Sequence, residues 1–129
     1  MKASITHTGE GEGRKMSESL SVQGIVGLAS AYYGSAVLFA ALDVDLFSMI
    51  GQEGNRASVD VLAARGRLDP RGLRLLLDAC VAVGLLLKEG SFYANTPAAG
   101  NALVRGAPYD LTRAVQYNRD VYPAWGRLA

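Results

Sequence analysis

The sequence predicts a mainly α fold built on a winged-helix core with one small β-hairpin. Three observations point there. Two helix starts carry the same punctuation, a capping side chain followed by proline, at Asp69-Pro70 and Thr96-Pro97. Between them, "LLLKEGSFYAN" reads as two short strands around a glycine-containing turn. Upstream, Leu20 to Leu42 runs without a single charged residue, rich in small and apolar side chains. Helix, tight turn, helix and hairpin follow one another from Ser58 to Asn95.

The totals bound the answer. A chain of 129 residues suits one compact domain, or one plus a tail. It is long enough to bury a core without a disulfide or metal staple. Its single cysteine, Cys80, excludes an intramolecular disulfide and sits in an apolar run, where core filling is the simplest role. With one histidine, His7, in a polar N-terminal stretch, neither a zinc site of the usual ligands nor a Ser-His-Asp set is expected. No catalytic, cofactor-binding or metal-ligating residue is therefore assigned. Net charge is +1, without the basic excess of a nucleic-acid-binding domain. Apolar residues make up 50% of the chain, which predicts apolar surface hidden against a partner.

Each element has its own justification. Residues 1–19 read as a flexible tail, with no apolar stretch resembling a secretory signal; a cytoplasmic chain is expected. "TGEGEGR" looks like a nucleotide-binding loop but lacks the strand before it and the helix after it. "SLSVQGIVGLASAYYGSAVLFAALDVDLFSMIG" then reads as one long or two consecutive helices. Its uncharged part raises a membrane span. Against that stand Ser21, Gln23, Ser30, Tyr32, Tyr33, Ser35 and three glycines, and Asp43 and Asp45 lie where basic anchors would flank a span. Gly27, Ala29, Ser30, Ala31, Gly34, Ser35 and Ala36 favour close helix approach, so burial against protein is the preferred reading. Asp43 and Asp45 diverge on a helix and read as solvated charges at a junction.

A helical stretch follows over Leu42 to Ile50, with Gly51 as its stop and "GQEGNRA" as a loop. In "SVDVLAARG", Ser58 caps, Asp60 suits the positive helix start, and Val59, Leu62 and Ala63 share a face. Val61 stands where a capping box would need an acid. "RLDPRGLRLLLDACVAVG" is capped by Asp69 and closed by Gly84. Its interior is apolar almost all round, which predicts a mostly buried helix. The hairpin turn is expected at Glu89-Gly90. A helix runs from Pro97 through Val104, "RGAP" breaks it, and "YDLTRAVQYNRDVY" forms another before Pro123 opens "PAWGRLA".

A winged helix raises DNA binding, and a transcription regulator is the alternative reading. The core balances Arg65, Arg67, Arg71, Arg74 and Lys88 against Asp60, Asp69, Asp78 and Glu89. That leaves little counterion release. The second helix offers Arg71, Arg74 and Asp78 outward but none of the amides or hydroxyls that read base edges. In "QYNRDVYPAW", Tyr117, Tyr122 and Trp125 suit an apolar pocket, with Asn118 and the Tyr122 hydroxyl as polar handles. Packing against a neighbouring domain is the simpler role for Trp125.

Three stretches together carry a family likeness: "YYGSAVLFAALDVDLFSMI", "VDVLAARGRLDPRGLRLLLDACVAVGLLLKEGSFYANTP" and "YNRDVYPAWGRL". The chain resembles the N-terminal dimerisation domain of S-adenosylmethionine-dependent small-molecule O-methyltransferases, of the bacterial type related to plant phenolic and hydroxyindole enzymes. The resemblance implies a helical dimerisation domain over 20–107, whose winged helix packs against protein. It implies a homodimer, or association with a methyltransferase catalytic domain, and no nucleic-acid or membrane partner. The interface is expected at Ile25, Leu28, Tyr32, Val37, Leu38 and Phe39. A wall of the pocket for a small-molecule acceptor is expected at Tyr33, Tyr117, Asn118, Tyr122 and Trp125. S-adenosylmethionine is expected for the full-length family, in a separate glycine-rich domain, and none is expected to bind this chain. Residues 108–129 read as the start of a helical linker toward an absent catalytic domain, so the chain alone is expected to be inactive. A truncated product, a fragment and a separate subunit all fit that expectation.

Overall fold

The computed structural model describes residues 18–129. His7 and the "GEGEG" stretch lie outside the described residues, as does most of the expected tail. The chain divides into a unit that ends at Tyr32 and a body from Tyr33 to Ala129.

In the first unit, α1 spans Val22–Ser30. Ser21 holds extended backbone, and its hydroxyl accepts from the Gly24 N–H at 3.0 Å, satisfying one of the orphan donors of the first turn. No residue of α1 is buried, and Val22, Ile25, Val26 and Leu28 are exposed.

In the body, α2 (Tyr32–Asp43) buries only Ala41 and Leu42. The continuous helix expected over Leu42 to Ile50 is interrupted. Asp45 takes left-handed backbone (φ 62°), and α3 begins after it at Leu46–Gln52. Asp is among the few residues that tolerate this conformation, so the break falls where the local chemistry allows it. Leu46 through Ile50 are buried on every side, making α3 the central helix of the core.

The winged-helix part is built from β1 (Ala57–Ser58), α4 (Val59–Gly66), α5 (Pro70–Ala82), β2 (Leu86–Glu89) and β3 (Phe92–Asn95). Ser58 accepts from the Val61 N–H at 3.3 Å, and Asp69 from the Gly72 N–H at 2.8 Å. Pro70 sits at the helix start, as its fixed φ favours. The strands form one antiparallel sheet in the order β1-β3-β2. The expected hairpin thus gains a third strand, a two-residue segment too short to carry any period-2 signal. Glu89 pairs with Phe92, so the turn is Gly90-Ser91, one residue later than expected. Gly90 supplies the positive φ (61°) that a two-residue hairpin turn requires.

Helix α5 departs from the expected all-round burial. Only Leu73, Leu77 and Cys80 are buried, an i, i+4, i+7 stripe. Leu75 is 67% exposed. The stripe meets Phe47, Ile50, Leu62, Leu86 and Tyr93 in one core cluster. Asn95 ties the layers together. Its side-chain amide donates to the Phe47 carbonyl at 3.0 Å, and its backbone N–H donates to Asn55 Oδ1 at 2.9 Å.

Helix α6 (Pro97–Ala102) is capped by Thr96, which accepts from the Ala99 N–H at 3.2 Å; it stops short of Val104. Helix α7 runs Thr112–Gly126 straight through Pro123, where a new segment was expected. Proline has no N–H, so the Arg119 carbonyl loses its i+4 donor, a loss most easily borne in the final turn.

Candidate functional site

Two surfaces bear on function. The first is α1, which presents Ile25 and Leu28 on one side of an uncharged helix, with Ile25, Leu28 and Tyr32 spaced i, i+3, i+7. Ser30 returns its hydroxyl to the Val26 carbonyl at 3.2 Å, so even this polar group is spent within the helix. By length and composition, Val22–Asp43 is long and apolar enough to cross a bilayer, and most of it is exposed. A surface this apolar calls for cover by something other than water.

The second is an open cleft of about 310 Å³ between α2 and α7. Ser35, Leu38 and Phe39 line it from α2, and Val115, Asn118, Val121, Tyr122 and Trp125 from α7. The Phe39 and Tyr122 rings meet edge to face at 5.4 Å. Asn118 donates from Nδ2 to the Ala114 carbonyl at 3.1 Å, which orients its amide along the helix. Trp125 remains 66% exposed at the rim. The cleft can hold a flat apolar molecule against aromatic edges, with Ser35, Asn118 and the Tyr122 hydroxyl as polar contacts.

The structure therefore gathers Asn118, Tyr122 and Trp125, named for a pocket wall, with Leu38 and Phe39, named for an interface. Tyr33 and Tyr117 are exposed and do not line this cleft, and Val37 packs on the core. Ser35, Val115 and Val121 are lining residues that sequence reasoning did not single out for a site. For Val115 the signal was present as helical spacing, 115-118-122-125 on one face of α7, which needs α2 as its partner to mean anything.

Two arginines hold this region. Arg119 pairs with Asp43 across α7 and α2, and with Asp120 at 2.9 Å. Arg105 reaches Asp45 at 3.1 Å. The two aspartates expected to be solvated junction charges are each paired. Asp110 accepts from the Gly106 and Thr112 N–H groups at 3.0 and 2.8 Å. These bonds, with the Thr112 hydroxyl, hold its carboxyl down at about 2.

The winged-helix side carries a second polar cluster. Tyr93 donates its hydroxyl to Asp78 at 2.6 Å, and Lys88 reaches the same oxygen at 3.2 Å. The Tyr93 bond and Lys88 hold Asp78 below its ordinary range, while burial and the anionic Asp78 push Tyr93 up. A raised phenol held by a carboxylate is a structural staple between α5 and the sheet, with no activated nucleophile in it. Cys80 is buried, and desolvation raises its thiol to about 11, which removes thiolate chemistry. A larger open concavity of about 400 Å³ lies over Leu87, Phe92 and Ala94, with Arg56 stacked 3.5 Å from the Phe92 ring centre. None of the expected site residues lines it.

Among the described residues no group of three His, Cys, Asp or Glu side chains is placed to hold a metal. A nucleoside cofactor needs a strand, a glycine-rich loop and a helix whose N–H groups face the ligand. The described glycines of positive φ, Gly54, Gly84, Gly90 and Gly106, sit in turns and at helix ends instead, and the strands are short and antiparallel. The described residues do not fit S-adenosylmethionine.

Comparison with known proteins gives a consistent result. The family described as "O-methyltransferase dimerisation domain" matches residues 26–105. The tetracenomycin polyketide synthesis 8-O-methyl transferase TcmO of Streptomyces glaucescens is 40% identical over 81% of this chain and 31% of its own length. The acetylserotonin O-methyltransferase of Gallus gallus is 33% identical over 78% of this chain and 30% of its own length. Among solved structures, human N-acetylserotonin methyltransferase in complex with SAM superposes with a TM-score of 0.72 and 31% identity, covering 81% of this chain and 32% of that one. An O-methyltransferase family protein from Burkholderia thailandensis gives 0.74 and 27%, covering 85% and 32%. The chain spans about a third of the length of these relatives.

Proposed function

The chain belongs to the O-methyltransferase dimerisation-domain family, and from that premise we propose that it pairs with a second copy and helps to enclose the acceptor of a methyl transfer. A dimerisation domain implies self-association. The finer reading is a homodimer whose interface includes Ile25, Leu28, Tyr32, Val37, Leu38 and Phe39. One observation supports it: among the described residues α1 is uncharged and apolar and buries no residue, the composition of a helix that needs cover.

On the same reading the chain acts in the cytoplasm, without a membrane or nucleic-acid partner. The α2–α7 cleft supplies part of the wall for a small-molecule acceptor, through Asn118, Tyr122 and Trp125, with Tyr33 and Tyr117 nearby in sequence. S-adenosylmethionine and the transfer chemistry belong to a catalytic domain. Residues 20–107 are the dimerisation domain, and 108–129 begin the linker toward that catalytic part.

Sedimentation equilibrium across a wide concentration range tests the pairing. The expected result is a dimer that the double substitution Ile25→Asp, Leu28→Asp converts to monomer, with the body's far-UV circular dichroism unchanged. A native chain that stays monomeric at high micromolar concentration contradicts the reading. So does partition into lipid vesicles in place of self-association.

A further inference from the structure

We infer that Arg119 is a positioning residue for the α2–α7 cleft: by pairing with Asp43 it fixes the spacing at which Phe39 and Tyr122 face a bound aromatic molecule. The inference rests on the reading of that cleft as part of an acceptor wall. Little else holds the lining half of α7. Of its fifteen residues only Thr112 is buried, and Val115 is its last apolar residue packed against the core. Pro123 leaves the Arg119 carbonyl without its helix donor, so the turn that carries Tyr122 and Trp125 is less stiff than a regular one.

Two contacts across the gap bear on this turn, the Phe39–Tyr122 ring contact at 5.4 Å and the Arg119–Asp43 ion pair. They are consecutive rungs. Asp43 lies four residues after Phe39 on α2, and Arg119 three before Tyr122 on α7, so each charged residue shares a helix face with its aromatic neighbour. On the far side of the rings the cleft opens toward Ser35 and Trp125, both exposed. The guanidinium is aimed in advance. Its Nε and Nη2 reach Asp120 Oδ1 at 3.0 and 2.9 Å within α7, which leaves Nη1 for Asp43. A planar fork already oriented on its own helix loses less freedom on reaching across. Both partners are partly exposed, so the pair is modest and salt-sensitive. A modest pair is enough to bias a turn that has so little core contact.

Trp125, the single tryptophan of the chain, lines the cleft and serves as the reporter. Coumarin is the probe: it is planar, aromatic and uncharged, so salt screens no charge on the ligand itself. Quenching of Trp125 emission gives its affinity for the full chain. Arg119→Leu and Asp43→Asn are each expected to weaken binding by about two- to fivefold at low salt. The double variant should bind no more weakly than either single one, because both remove the same interaction. Added salt should lower the affinity of the native chain toward that of Arg119→Leu, whose own affinity stays level. A merely structural loss would not carry that salt dependence. Arg113→Leu removes an equal charge elsewhere on α7 and should leave binding unchanged. Circular dichroism checks that each variant keeps its helices. Native affinity in Arg119→Leu, additive losses in the double variant, or equal weakening in Arg113→Leu overturns the positioning role and leaves the cleft reading standing. If coumarin does not quench Trp125 in the native chain, the cleft reading falls and the positioning role falls with it.

Discussion

Asp110 shows how much one exposed side chain can organise. It bridges the Gly106 and Thr112 N–H groups and so joins the "RGAPYD" loop to the start of α7. Its carboxyl is depressed from 3.8 to about 2, chiefly by the Gly106 bond and then by Thr112. A depressed acid stabilises the fold fully above its unfolded value, and that contribution is lost as pH falls through the folded one. Acid titration of unfolding should therefore show a loss between 3.8 and about 2 that Asp110→Asn removes. The Tyr93 hydroxyl is a second such test. Tyr93→Phe deletes a bond to a charged acceptor and should cost about 1–3 kcal/mol in urea unfolding. An unchanged midpoint would mean that Lys88 alone holds Asp78 in place.

Among the elements, α5 was the most legible and also the most instructive. Asp69 and Pro70 sit where local rules put them. Asp69→Ala should lower stability by about 1 kcal/mol, since Gly72 loses its side-chain acceptor. Leu77→Ala opens a fully buried site and should cost about 2–5 kcal/mol. A composition that is apolar almost all round does not say which side lies inward. That side is set by α3 and the sheet, which are distant in sequence. The strand β1 escaped notice for a related reason: two residues carry no period, and only pairing with Phe92 and Tyr93 makes them a strand. The left-handed Asp45 and the helix passing Pro123 are likewise outcomes that local punctuation alone opposes or leaves open.

For the whole molecule, the family assignment rests on the match over residues 26–105 and on agreement between sequence and fold comparisons. Its main consequence is self-association. Because α1 buries no residue of its own, thermal stability should rise with protein concentration in the native chain, as mass action requires of a fold completed by pairing. In the Ile25→Asp, Leu28→Asp variant the midpoint should be independent of concentration. Caps, prolines, glycine turns and the uncharged run of Leu20 to Leu42 were all decided locally, by backbone donors that need partners and apolar side chains that need cover. They sufficed for the helix order, the winged-helix core and the family resemblance. The α2–α7 cleft, the pairing of Arg119 with Asp43, and the exposure of Leu75 were decided only by tertiary structure. Each depends on which faces of separate helices meet, and that is settled by the packing of the whole core, beyond the reach of any one element's sequence.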